Sequence, residues 1–154
     1  MLVRFCFLFF VIFFSCDKNK IFDQYQNINT YWDKERSVDF SFDLEDKSYN
    51  TFINLRVDNN YVYNNIFLIV SISDSLKTFS IDTLEFSMAN KNGKLLGKKL
   101  LNTYNSKLWH KEDLKLKKGS YTVSIKHAMR KINQINGISK LEGITNIGYR
   151  IEEK

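Results

Sequence analysis

The chain has 154 residues, two cysteines and a formal net charge of +6, with 44% hydrophobic side chains. That length suits one domain with its own core. The basic balance is mild, and the start of the chain directs it out of the cytoplasm, which together exclude nucleic acid as its natural partner. Arg4 supplies an early positive charge, residues 5–14 are almost purely apolar, and Ser15-Cys16 ends the run before the polar Asp17-Lys18-Asn19-Lys20. A charged start, a short apolar run and a small residue at the cut describe a secretory signal. The run is too short to span a membrane, which takes roughly 20 apolar residues. A cysteine directly after the small residue points further, to a bacterial lipoprotein signal. Cleavage would then fall between Ser15 and Cys16, the Cys16 thiol would carry a diacylglyceryl group, and the new amine would be acylated. A signal cut elsewhere and an uncleaved anchor are the rival readings.

The chain accordingly divides into a signal peptide (1–15), a lipidated leader (16–36) and one domain (37–154). With Cys6 removed and Cys16 lipidated, the domain holds no thiol, no disulfide and no cysteine metal ligand, although it is exported to where disulfides form. The leader is polar but carries Phe22, Tyr25, Tyr31 and Trp32. A pure tether would be poor in aromatics, so its later part is expected to lie on the domain. From Ser37 the pattern alternates strictly, with Val38, Phe40, Phe42 and Leu44 on one side, as a strand with one buried face requires. Residues 52–57 repeat this with Ile53, Leu55 and Val57. Residues 66–72 are nearly continuous apolar, predicting a central strand buried on both faces. Asp58-Asn59-Asn60 and Asn64-Asn65 punctuate these runs as turn residues do.

Residues 83–89 alternate again, with Leu84, Phe86 and Met88 inward. Asn92-Gly93 is the strongest hairpin signal, because a tight turn needs positive φ and these residues tolerate it. Residues 94–96 would return, with Gly97 as a bend. Residues 120–128 place Tyr121, Val123, Ile125 and His127 on one face, and residues 145–151 do the same for Ile147, Tyr149 and Ile151. Residues 130–141 read as a loop or a short helical turn. Short strands, polar turns and no sustained helical period predict an all-β, antiparallel sandwich, jelly-roll-like, of about seven or eight strands.

The search for chemistry is mostly negative. His110 and His127 lack a second histidine or a carboxylate at metal-ligand spacing, so no metal site is implied. There is no GxSxG turn and no glycine-rich phosphate loop, and no cofactor is implied. Asp82, Glu85, Glu112 and Asp113 are the carboxylates from which a glycoside-cleaving pair would have to come. The lysines between Lys91 and Lys118 suit a solvated surface or a basic face toward anionic lipid or acidic glycan. Trp109, between polar residues, is expected in the core. Trp32 is read as a partner-binding anchor together with His127, Met129 and Arg130 of the basic SIKHAMRK stretch, since conspicuous aromatic and polar loop residues more often bind than pack.

Several segments, in order, resemble the gliding motility lipoprotein GldH family of Bacteroidota. They are Cys16 with its signal, Tyr31-Trp32, residues 49–56 (YNTFINLR) and 63–68 (YNNIFL), and Asp82-Thr83-Leu84-Glu85-Phe86 with Met88-Ala89. Asn92-Gly93-Lys94 with Gly97, Lys107-Leu108-Trp109, His127-Ala128-Met129-Arg130, and Gly143-Ile144-Thr145 with Gly148-Tyr149-Arg150-Ile151-Glu152 complete the set. The resemblance implies an envelope lipoprotein needed for gliding, held by its lipid at the cell membrane or outer membrane. It brings no catalytic residues, and its expected role is a non-catalytic assembly or partner-binding one beside other gliding-machinery proteins. A surface carbohydrate-binding module on the same fold is the alternative, because sandwiches host both.

Overall fold

The computed structural model describes residues 19–154, so Cys16 and the signal segment lie outside the described residues. Eleven strands follow in order: β1 (Lys20–Asn27), β2 (Trp32–Asp33), β3 (Val38–Leu44), β4 (Lys47–Val57), β5 (Asn65–Ser73), β6 (Thr78–Ser87), β7 (Lys98–Leu100), β8 (Thr103–Leu116), β9 (Gly119–His127), β10 (Lys140–Leu141) and β11 (Ile144–Glu153). A five-stranded sheet, β1-β11-β4-β8-β7, faces a four-stranded sheet, β3-β9-β5-β6, and β2 pairs with β10 as a small third sheet. Every pairing is antiparallel. The all-β antiparallel sandwich is thus the one the alternation predicts. The strand count is higher because β2, β7 and β10 are too short to leave a periodic signal, and because β1 and β8 carry polar residues on their outer faces.

One buried core joins the sheets. Val38, Phe40, Phe42 and Leu44 point inward from β3, Val123 and Ile125 from β9, Ile53 and Leu55 from β4, and Ile147, Tyr149 and Ile151 from β11. Phe40 and Phe42 of one sheet stack on Tyr149 of the other, with ring centroids 6.4 and 5.8 Å apart. Each such side chain contributes about 1.5–3 kcal/mol by leaving water, which replaces the disulfides this domain lacks. β5 departs from the expectation of burial on both faces. Ile66, Leu68, Val70 and Ile72 are buried, but Phe67 and Ile69 on the other side are only partly covered, because no further layer packs there.

The register places all turns at two ends. At the proximal end β1 begins, opposite Glu152 of β11, and the Glu153 amide donates to the Asn19 carbonyl (2.7 Å). The turns at 45–46, 74–77 and 117–118 share this end. The distal end gathers segments 28–37, 58–64, 88–102 and 128–143. There the Asn92-Gly93 turn differs from the expected two-residue type. The Gly93 amide donates to the Asn90 carbonyl (2.9 Å), only Gly93 of the pair has positive φ (77°), and Asn90 then meets Lys94. This is a three-residue loop closed by a left-handed glycine. Gly143, with φ of 82°, packs so closely on Tyr61 that a Cβ would collide with its backbone.

Candidate functional site

The distal end carries a cleft of about 1100 Å³ between the 58–64 turn and the 128–139 loop. Its floor comes from β5, where Phe67 points outward, and its walls include Tyr63, Met129, Arg130, Ile132 and Ile135. The loop is a protruding hairpin. Arg130 and Gly137 form an antiparallel bridge at its stem, the Ile138 amide donates to the Met129 carbonyl (2.8 Å), and the Gln134 amide donates to the Lys131 carbonyl (3.1 Å). Met129 roots it: the side chain is buried, and its sulfur accepts from the Phe67 amide (3.3 Å). Above this stem Ile132 and Ile135 stand 91% and 98% exposed.

Of the residues expected to bind a partner, Met129 and Arg130 reach this cleft, and only Arg130 is exposed. Trp32 and His127 are buried beneath the distal loops. Trp32 is fully enclosed, its indole N–H donates to the Arg36 carbonyl (3.0 Å), and its own carbonyl accepts from His127 Nε2 (3.1 Å). Burial pushes the His127 pKa down, so the ring is neutral near pH 7. These two side chains hold the 28–37 segment and β10 in place; they support the site and are not its surface. Trp109, expected in the core, is 53% exposed on the outer face of β8 and leans on Phe52 (centroids 4.4 Å apart). Its parity gave the signal: Lys107 is on the same side, while Leu108 and His110 point inward.

The carboxylates do not converge. Asp82 and Glu85 leave opposite faces of β6. Glu85 accepts from Asn65 (2.6 Å), Glu112 lies 4.0 Å from Lys154, and Asp113 pairs with Lys115 and Ser48. Asp82 instead closes a half-buried bridge between the sheets, in which only His110 is fully enclosed. His110 of β8 donates from Nε2 to Asp82 (3.3 Å), and Lys111 Nζ sits 2.9 Å from the same carboxylate. A carboxylate only accepts, so Nε2 bears the proton and Nδ1 accepts from the Tyr149 hydroxyl (2.8 Å). Burial drives the His110 pKa down to about 4, against the pull of Asp82. Burial also raises Asp82, but the hydrogen bonds from Lys111 and His110 outweigh it and hold the carboxyl below its usual range. A neutral histidine locked this way is a structural strut. Among the described residues no cluster of His, Cys, Asp and Glu could hold a metal ion, and no helix is long and apolar enough to cross a membrane.

Among the described residues the exposed aromatics, Tyr25, Phe79 and Trp109, lie on three different strands and do not form the row a glycan reader would need. Tyr25 on β1 lies across the sheet from Trp109, under the Arg56 guanidinium (4.3 Å). Comparison with known proteins decides the affiliation. A family model described as GldH lipoprotein matches residues 20–151, from the first residue of β1 into β11. The chain belongs to the GldH lipoprotein family. It is 46% identical over 146 residues to the gliding motility lipoprotein GldH of Flavobacterium johnsoniae, covering 94% of this chain and 91% of that one. It is 44% identical over 153 residues to a GldH homolog of Christiangramia forsetii, covering 97% and 94%. No solved structure matches. Membership makes this GldH family member a lipoprotein of the cell envelope, in a family whose name implies no catalytic activity. The matched stretch starts inside the expected leader, so the family unit includes the leader's strand β1. Residues Ile132, Ile135 and Val62 of the site escaped the sequence reading, although isolated isoleucines in an Asn-rich loop were a usable sign.

Proposed function

We propose that this protein works in gliding motility as a lipid-anchored, non-catalytic component that binds another envelope protein. The observation that carries this is the GldH family match across the whole sandwich. The dispersal of the carboxylates, each in its own structural pair, supports a binding role over a hydrolytic one. Cys16 is the lipidation site in this reading. It stands four positions before Lys20, and four residues reach at most about 14 Å. The proximal end is therefore held close to the membrane surface. Strands of about ten residues are about 30 Å long, so the distal cleft, with Arg130 at its edge, is offered away from that surface to partners concentrated in the envelope.

The test is fatty-acid labelling of cells carrying the wild-type chain or Cys16→Ala, with membrane fractionation and colony spreading on the same strains. Loss of label, of membrane association and of spreading in Cys16→Ala is the expected result. Label retained by Cys16→Ala removes the anchor site, and spreading by cells that lack the protein altogether removes the gliding role.

A further inference from the structure

We infer that the distal cleft receives an acidic, apolar peptide segment of a protein that stands off the anchoring membrane. This rests on the partner-binding reading above and names the chemistry of the partner. The cleft offers two cations, Arg130 and Lys131, and no lining residue is a carboxylate; Glu85, across the strand from Phe67, borders the floor and is engaged by Asn65 (2.6 Å). Among the described residues no Asp or Glu lies within ion-pair distance of either, so their charges are open to a ligand. The surrounding distal segments repeat the imbalance. Lys34, Arg36, Lys91, Lys94, Lys98, Lys99, Arg130, Lys131 and Lys140 face only Asp33, Glu35, Asp58 and Glu142. The proximal turns are balanced, with Lys77, Lys117 and Lys118 against Glu45, Asp46 and Asp74. A basic cleft of this kind steers and retains an acidic partner.

The apolar half of the recognition comes from Ile132 and Ile135, which project from the loop tip with almost their whole surface in water. Tyr63 and Phe67 continue that surface into the floor. Asn64 and Gln134 add carboxamides able to hydrogen-bond a peptide backbone. The loop stem is already fixed, by the Arg130–Gly137 bridge and the Met129 sulfur bond to Phe67. Less order has to be imposed on binding as a result, which favours affinity.

Two other occupants fit less well. A second copy would bring two basic ends together, and like charges across an interface oppose association. The anchoring bilayer is on the proximal side, beyond the reach of the distal loops while the domain stands on its short tether.

The experiment places the photo-crosslinking residue benzoylphenylalanine at Ile132 or Ile135 of the full lipidated chain, as the only copy in gliding cells. The expected product is an adduct to a protein whose crosslinked peptide interleaves Asp or Glu with apolar residues. Combining Arg130→Glu with Lys131→Glu, both at exposed loop positions, should cut its yield about tenfold. Lys117→Glu with Lys118→Glu at the proximal end should leave it nearly unchanged, and the melting temperature should be the same in all variants. Adducts to lipid or to a second copy overturn the inference. So do adducts to peptides without carboxylates, yields indifferent to Arg130 and Lys131, and the absence of any adduct. Fatty-acid labelling and colony spreading of the same strains keep the two readings apart. Labelled, spreading cells without an acidic adduct refute this inference alone, whereas absence of label from a chain that keeps Cys16 refutes the anchor.

Discussion

Acid should weaken this fold through His110, and replacing that one side chain should remove much of the effect. The ring is enclosed between Asp82 and Tyr149 and takes up a proton only near pH 4 in the folded protein, whereas an unfolded histidine does so near 6.5. Between these values the unfolded chain binds more protons than the folded one, so stability rises with pH and falls on acidification. The contribution is complete above pH 6.5 and is lost as pH drops toward 4. At about 1.4 kcal/mol per pH unit, the loss reaches about 2 kcal/mol by pH 5 and about 3 kcal/mol by pH 4. Asp82 stays ionised throughout this window because its own pKa is held low. His127 titrates in the same direction, so the comparison that isolates His110 is wild type against His110→Gln. The glutamine keeps an acceptor for Tyr149 and a donor for Asp82. Urea unfolding at pH 7 and pH 5 should show wild type losing about 2 kcal/mol more than the variant. Equal losses in the two proteins would refute the strut.

Trp32 and Trp109 should be separable by fluorescence: Trp109→Phe should leave a blue-shifted emission that acrylamide barely quenches, and a red, readily quenched emission would contradict the burial of Trp32. Trp32→Ala should cost about 3–5 kcal/mol in urea unfolding, from the lost burial and the unpaired Arg36 carbonyl. Gly143→Ala should prevent stable folding, since both its φ and the Tyr61 backbone resist a Cβ. Gly93→Ala meets open space and should cost only about 1 kcal/mol by thermal unfolding.

Strands that bury one face against the core announced themselves. β3 and β9 alternate without interruption, and their inward residues are the buried ones. β1 was hidden because an edge strand needs few apolar residues; Phe22 alone packs inward while Asp23, Gln24 and Gln26 meet solvent or polar partners. β8 was hidden because register shifts near Thr51 break its alternation, and because two of its inward positions are the polar Ser106 and His110. The run at 66–72 was apolar for a reason local sequence does not show. Phe67 lines the cleft and is only partly covered, so an apolar run here does not mark a strand buried on both faces. The two tryptophans exchanged places relative to expectation because residue type sets only how much is gained by burial. Which side chain is buried depends on strand parity for Trp109 and on loop tertiary contacts for Trp32. The cleft needed three-dimensional structure, since its two walls are more than sixty residues apart in the chain.

The pairing of β1 with β11 has a mechanical side. A pull on the N-terminus enters the fold at Lys20, and a load carried by the distal end opposes it from the far side of the sandwich. The force then runs along the axis of β1, across a ladder that extends from Lys20 opposite Glu152 to Asn27 opposite Asn146. In that direction the hydrogen bonds are sheared together and cannot be peeled one at a time. Under the proposed anchor and distal partner contact, this shear geometry would let the domain bear tension, as a part of a machine that moves cells must.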